Sequence, residues 1–115
     1  MTSGTVYEQG EILLVPFPFS DLSSIKQRPV LVLSKTQDNI KSEDLITCGI
    51  TSNLKDSKYS VVIDDQDLET GKIPTRSRIK IDKLFTVEKS AVKKKLAKVN
   101  RETFDKSREE FLKLV

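Results

Sequence analysis

The apolar positions of the chain fall into short runs of strand length, separated by polar stretches rich in turn formers. Glu11 to Val15 and Val30 to Leu33 are aliphatic and β-branched. Between them come Pro16-Phe17-Pro18 and then Ser20-Asp21-Leu22-Ser23-Ser24, side chains that bond their own backbone in turns. The pattern predicts a strand, a long shaped loop and a second strand, with Gln27-Arg28-Pro29 where the chain returns. Leu45 to Ile50 and Tyr59 to Ile63 read as two further strands, the first ending in Thr51-Ser52-Asn53. Lys35 to Asp44 reads as a connection with room for one helical turn. Asp64 to Ser77, polar and holding Gly71 and Pro74, reads as a surface loop.

Arg78 to Val87 alternates over its first part, so that Ile79 and Ile81 share one face and Lys80 and Asp82 the other. Lys94 to Val99 is a last short strand. The tail then reads as a helix: Asn100 is an N-cap, Glu102 sits in the first turn, and Val99 and Phe104 occupy the two positions of a hydrophobic staple. Phe104, Phe111, Leu112 and Val115 form an apolar stripe expected to pack on the core. About six strands and a C-terminal helix in one domain of 115 residues predict an α+β, mainly β fold. The expected shape is a small barrel or strongly bent antiparallel sheet plugged by the helix, with residues 1–9 as a loosely ordered N-terminus.

Composition narrows the chemistry. Aromatic residues make up only 6% of the chain and there is no Trp, so the core is aliphatic. No apolar run reaches membrane-spanning length and MTSGTVYEQG lacks the pattern of a signal peptide, which predicts no membrane association and a cytoplasmic location. Cys48, the single cysteine, is expected to be a small core residue. The net charge of +3 divides into −5 over residues 1–71 and +8 over residues 72–115, and the basic half is a candidate footprint for a polyanion. There is no histidine. That removes His-based acid/base chemistry, a Cys-His nucleophile and a zinc site, and leaves Arg, Lys, carboxylates and hydroxyls. Residue type alone leaves Arg28 open between a solvated strand-edge charge and a ligand group. Lys80 and Asp82 are open in the same way, between reaching one ligand together and facing solvent.

Three segments in register carry a resemblance. Gly10-Glu11-Ile12, Pro16-Phe17-Pro18-Phe19-Ser20-Asp21-Leu22 and Arg28-Pro29-Val30-Leu31-Val32-Leu33-Ser34 form the first, Gly49-Ile50-Thr51-Ser52 the second, and Ser77-Arg78-Ile79-Lys80-Ile81-Asp82-Lys83-Leu84-Phe85-Thr86-Val87-Glu88-Lys89 the third. Together they resemble the PemK/MazF toxins of bacterial toxin–antitoxin systems over residues 10–114. The resemblance implies an SH3-like (CcdB/PemK-like) barrel and a homodimeric endoribonuclease that uses no metal and no cofactor. Such an enzyme cuts single-stranded RNA at short preferred sequences. The substrate 2′-hydroxyl attacks, leaving a 2′,3′-cyclic phosphate and a 5′-hydroxyl. A cognate acidic antitoxin would occupy the same groove and, with the toxin, bind DNA.

By this resemblance Arg28 and Thr51 are catalytic. A guanidinium offers phosphate a planar fork of donors and gives up a proton poorly, so charge stabilisation is the first role expected of Arg28 and general-acid work the second. Many members carry Gly-Ser-Glu in the first loop, where Asp21-Leu22-Ser23 stands here. The base is then Asp82 or Asp21, with Asp82 favoured. Ser52, Ser77, Lys80, Pro18, Asp21, Lys26 and Gln27 are the expected substrate-binding residues. Two other readings compete: a non-catalytic RNA- or protein-binding barrel, and a gyrase-directed CcdB-like toxin. The latter depends on a Trp-containing tail, whereas this chain ends Leu112-Lys113-Leu114-Val115.

Overall fold

The computed structural model describes residues 5–18 and 25–115. Seven strands follow in order among these residues: β1 (Glu11–Pro18), β2 (Ile25–Val32), β3 (Asp44–Thr51), β4 (Ser60–Ile63), β5 (Leu68–Gly71), β6 (Ser77–Glu88) and β7 (Lys94–Val99). Helix α1 (Thr36–Lys41) lies between β2 and β3, and α2 (Arg101–Leu114) closes the chain. All strand pairs are antiparallel, in the order β4-β6-β3-β2-β1-β7-β5. No helix among the described residues is long and apolar enough to cross a membrane.

The sheet has one strand more than expected, because β5 forms inside the stretch read as a surface loop. As an edge strand with only Leu68 half-buried, it lacks an apolar run to announce it. Gly71 ends it at φ +78, where an added Cβ would stand 2.3 Å from the Leu96 carbonyl oxygen, so only glycine fits. Before it, Asp64 caps a 3₁₀ turn, Asp65–Asp67, through a reciprocal capping box.

The first hairpin is also longer than its apolar runs. β1 pairs with β7 only over Glu11 to Leu14, and β2 with β3 only over Val30 to Val32. Beyond those points the two strands continue as a ribbon in which Val15 pairs with Arg28 and Pro18 with Ile25. Prolines 16, 18 and 29 lie in this ribbon, where each strand has one free side and a missing N–H interrupts no second ladder. Arg28 therefore stands on a strand, not at the end of a loop.

Successive residues of the central strands face opposite ways into two cores. Ile12, Leu31, Cys48, Ile50, Ile79 and Ile81 form the first, joined by Ile63 from β4 at one edge of the sheet and Ile73 just beyond β5 at the other. Both edges feed one cluster, so the sheet is curled into a half-barrel, and Phe104 and Phe111 of α2 close it. The second core holds Leu13, Val15, Val30, Val32, Leu45 and Val87, flanked by Phe17 and Phe85.

Helix α2 begins as expected: Asn100 Oδ1 accepts from Thr103 N–H at 2.9 Å, and Val99 and Phe104 join the same cluster. Its predicted stripe is corrected at the far end, where Leu112 and Val115 are exposed. The buried positions are Thr103 and Ser107, four residues apart, and Ser107 Oγ donates to the Thr103 carbonyl at 3.0 Å. Small side chains at these positions, with the Ser107 hydroxyl satisfied within the helix, let the helix lie close to the sheet. The N-terminal stretch is tied down where it is described: Asn39 Nδ2 donates to the Tyr7 carbonyl (2.8 Å) and Gln9 Nε2 to the Leu33 carbonyl (2.8 Å).

Candidate active site

Register decides which side chains meet. Val30 pairs with Gly49, Gly49 with Lys80, and Thr51 with Arg78. Strand parity then puts Arg28, Gly49, Thr51, Arg78 and Lys80 on the face of the second core, away from α2. Arg28, Thr51 and Lys80 line a groove of about 550 Å³ there. Phe17 and Phe85, edge to face at 4.7 Å and 73°, give it an aromatic wall. Gly49 keeps it open, since a Cβ would meet the Phe85 ring at 3.3 Å.

The other wall is the β3–β4 loop, through Asn53, Lys55, Asp56 and Ser57. Asn53 N–H donates to Thr51 Oγ1 (3.1 Å), which fixes the Thr51 side chain and leaves its hydroxyl hydrogen to donate elsewhere. Lys80 Nζ donates to Ser57 Oγ (2.9 Å). Arg78 holds the same loop from within: Nη1 donates to Ser60 Oγ (2.7 Å), Nη2 to the Leu54 carbonyl (3.2 Å), and Nη1 lies 3.5 Å from Asp56 Oδ1. The Arg78 side chain is only 10% exposed and its Nε is buried without a partner. Tyr59 turns the loop into β4 at φ +54, with its carbonyl accepting from Ile81 N–H at 2.9 Å.

Arg28, Lys55, Lys80 and Lys83 give the groove four cationic groups, against one carboxylate, Asp56, among its described lining residues. These cations come from both halves of the chain, so the footprint is not simply the basic C-terminal half. Such a groove suits a chain of phosphates with stacked bases. Among the described residues no cluster of His, Cys, Asp or Glu could hold a metal ion.

The remaining expected residues that the structure describes do not line this groove. Between the pairs Cys48–Leu84 and Gly49–Lys80 the β6 strand carries three extra residues, 81–83, as a bulge. Ile81 turns into the core and Lys83 returns to the groove, while Asp82 is exposed and does not line it. Ser77 is buried with its hydroxyl committed to the Thr75 carbonyl at 2.9 Å. Ser52, Lys26 and Gln27 are exposed and outside the lining, and Pro18 stands at the ribbon tip. Asp21 lies outside the described residues. Sequence reasoning missed Arg78, Lys55, Asp56 and Ser57. For the last three the signal available was the polar run after Thr51-Ser52-Asn53, between two predicted strands.

Residues 8–115 match the family described as PemK-like, MazF-like toxins of type II toxin–antitoxin systems. No curated protein sequence matches the chain. Among solved structures, the MazE–MazF complex of Deinococcus radiodurans (Form III) superposes with a TM-score of 0.78 at 19% identity, covering 96% of both chains. An endoribonuclease in complex with its cognate antitoxin, from a mycobacterial species, gives 0.75 at 18%, covering 93% of this chain and 92% of that one. The Mycobacterium tuberculosis toxin MazF-mt6 gives 0.67 at 15%, covering 88% and 91%. At these identities the likeness is one of fold.

Proposed function

Because the chain belongs to the PemK-like, MazF-like toxins of type II toxin–antitoxin systems, we propose that it is an RNA-cleaving toxin. Its substrate is single-stranded RNA and its nucleophile the RNA's own 2′-hydroxyl. The observation that carries this reading is the convergence of Arg28, Thr51 and Lys80, from three strands, on one cationic groove with an aromatic wall. The 2′-oxygen attacks phosphorus, the bond to the 5′-oxygen breaks, and a 2′,3′-cyclic phosphate and a 5′-hydroxyl result. The protein has to hold the phosphate, stabilise the added negative charge of the five-coordinate transition state and move two protons. No metal is needed for that.

Arg28 supplies the planar fork to the phosphoryl oxygens, Thr51 a hydroxyl donor and Lys80 a fixed positive charge. The 2′-hydroxyl proton goes to a carboxylate. Of the two expected bases, Asp82 is exposed and outside the groove lining, and the alternative is Asp21. Ser52, Lys26 and Gln27, exposed and outside the groove lining, contact nucleotides beyond it, as does Pro18. The active form is a homodimer, and an acidic segment of a cognate antitoxin silences it by lying in the same cationic groove; one structural relative is an endoribonuclease solved in complex with its cognate antitoxin.

The test is a chelator-treated sample incubated with a long single-stranded RNA, followed by mapping of the new ends. Cyclic phosphate and 5′-hydroxyl ends are expected from wild type and a large loss of cleavage from Arg28→Ala. If wild type leaves the RNA as intact as Arg28→Ala does while still binding it in a salt-sensitive way, the chain is a binding barrel and the enzyme reading is wrong.

A further inference from the structure

Resting on that reading of the groove as an RNA site, we propose that Asp56 is a specificity-determining residue that selects guanine in the bound strand through its Watson–Crick edge. Asp56 is the one carboxylate among the described residues lining a groove with four cations. It repels phosphate, so what it can attract in a nucleic acid is a base edge rich in donors. A carboxylate only accepts, through two oxygens. Guanine alone sets two donors side by side, N1–H and N2–H₂, matching those oxygens. Adenine and cytosine offer one amino group beside an acceptor, and the N3–H of uracil lies between two carbonyls that a carboxylate avoids. Single-stranded RNA is read on such edges once its bases are splayed.

The presentation of this carboxylate is built rather than incidental. Arg78 is buried beneath the loop and bonds Ser60 Oγ and the Leu54 carbonyl on either side of Asp56, with its Nη1 3.5 Å from Asp56 Oδ1. Arg78 is also the cross-strand partner of Thr51, so the reader is anchored beside the proposed phosphate site. The Asp56 side chain is 98% exposed, and the lone pairs that Arg78 does not engage are open to a ligand.

The experiment uses short oligouridines with 2′-fluoro sugars, which lack the nucleophile, carrying a single guanine moved along the chain and, in parallel, inosine or adenine at the same place. Inosine keeps N1–H and lacks only the 2-amino group. Wild type is expected to prefer guanine over inosine by about tenfold at one position, the scale of one lost bond in a bidentate base contact. Asp56→Asn is expected to bring that ratio to about twofold or less while binding the inosine chain no more weakly, since it removes one negative charge. Arg78→Lys, which keeps the charge without the fork, should weaken the preference too. The proposal is overturned if wild type shows no guanine preference at any position, or if Asp56→Asn retains it. Because these oligonucleotides are not cleaved, failure of the nuclease reading would show only in the cleavage assay.

Discussion

Arg78→Ala probes how the groove wall is held. The guanidinium makes two hydrogen bonds, to Ser60 Oγ at 2.7 Å and the Leu54 carbonyl at 3.2 Å. Charged donors of this kind contribute about 1.5–3 kcal/mol each. The pair with Asp56 adds about 0–1 kcal/mol at most, because that carboxylate is 98% exposed. Against this stands the Nε, buried without a partner, which costs about 1–3 kcal/mol in the wild type. The groups left behind do not stay orphaned: Ser60 Oγ also donates to the Ser57 carbonyl at 2.6 Å, and Leu54 is exposed, so water reaches its carbonyl. The net loss is therefore about 2 kcal/mol, a fall in Tm of about 8 °C for a domain of this length. Arg78→Met fills the space and needs no desolvation, so it should be milder than Arg78→Ala. Thermal and urea unfolding followed by far-UV circular dichroism measure both. An Arg78→Ala protein that melts within about 2 °C of wild type, or a Met variant worse than the Ala variant, would refute this account of the loop.

Asp21→Asn should lower kcat by about 10²–10⁴-fold and flatten the acid limb of its pH profile, whereas Asp82→Asn should stay within about threefold of wild type; the reverse pattern restores Asp82 as the base. With four cations in the groove, the logarithm of RNA affinity should fall with the logarithm of salt with a slope of about −2.8, some 50-fold weaker at 200 than at 50 mM, and a slope near zero would show that these groups do not meet phosphates. Burial pushes the Cys48 thiol up from 9.0 to about 12, so a thiol reagent at pH 8 should label it only in denaturant, and rapid labelling of the native protein would contradict the packing. The same shift fixes a sign: the unfolded chain loses this proton first, so the contribution of the neutral thiol is whole below about pH 9. It then falls by about 1.4 kcal/mol per unit as pH rises toward 12.

Much of the fold was legible because most strands announce themselves as apolar runs bounded by turn residues. Glu11–Pro18, Asp44–Thr51, Ser60–Ile63 and Lys94–Val99 all contain or nearly equal a predicted run. The start of α2 was legible for a local reason too, since Asn100, Glu102 and the Val99–Phe104 pair act within one turn. What failed depended on distant partners. β5 is a strand only because β7 offers it an edge, and its own residues are mostly polar. At the end of α2 the 3.6-residue period assigned Leu112 and Val115 to the core, whereas both are exposed and the half-buried apolar positions there are Phe111 and Leu114.

The site divides along the same line. Arg28 and Thr51 stood out by family pattern, but no local property of the chain says that they share a groove. That follows from the register Val30–Gly49–Lys80 across β2, β3 and β6. Period-2 reasoning also assumes an unbroken strand, and β6 is broken where it matters. It holds for Ile79, Ile81 and Lys80, then the three-residue bulge sets in at 81–83 opposite Gly49. An unbroken strand would present Lys80 and Asp82 together on the groove face, and their charges would cancel. With the bulge, Lys80 and Lys83 both face the groove and Asp82 does not line it. The bulge therefore lets β6 present two cations to the groove with no carboxylate of its own between them, suited to holding a phosphate.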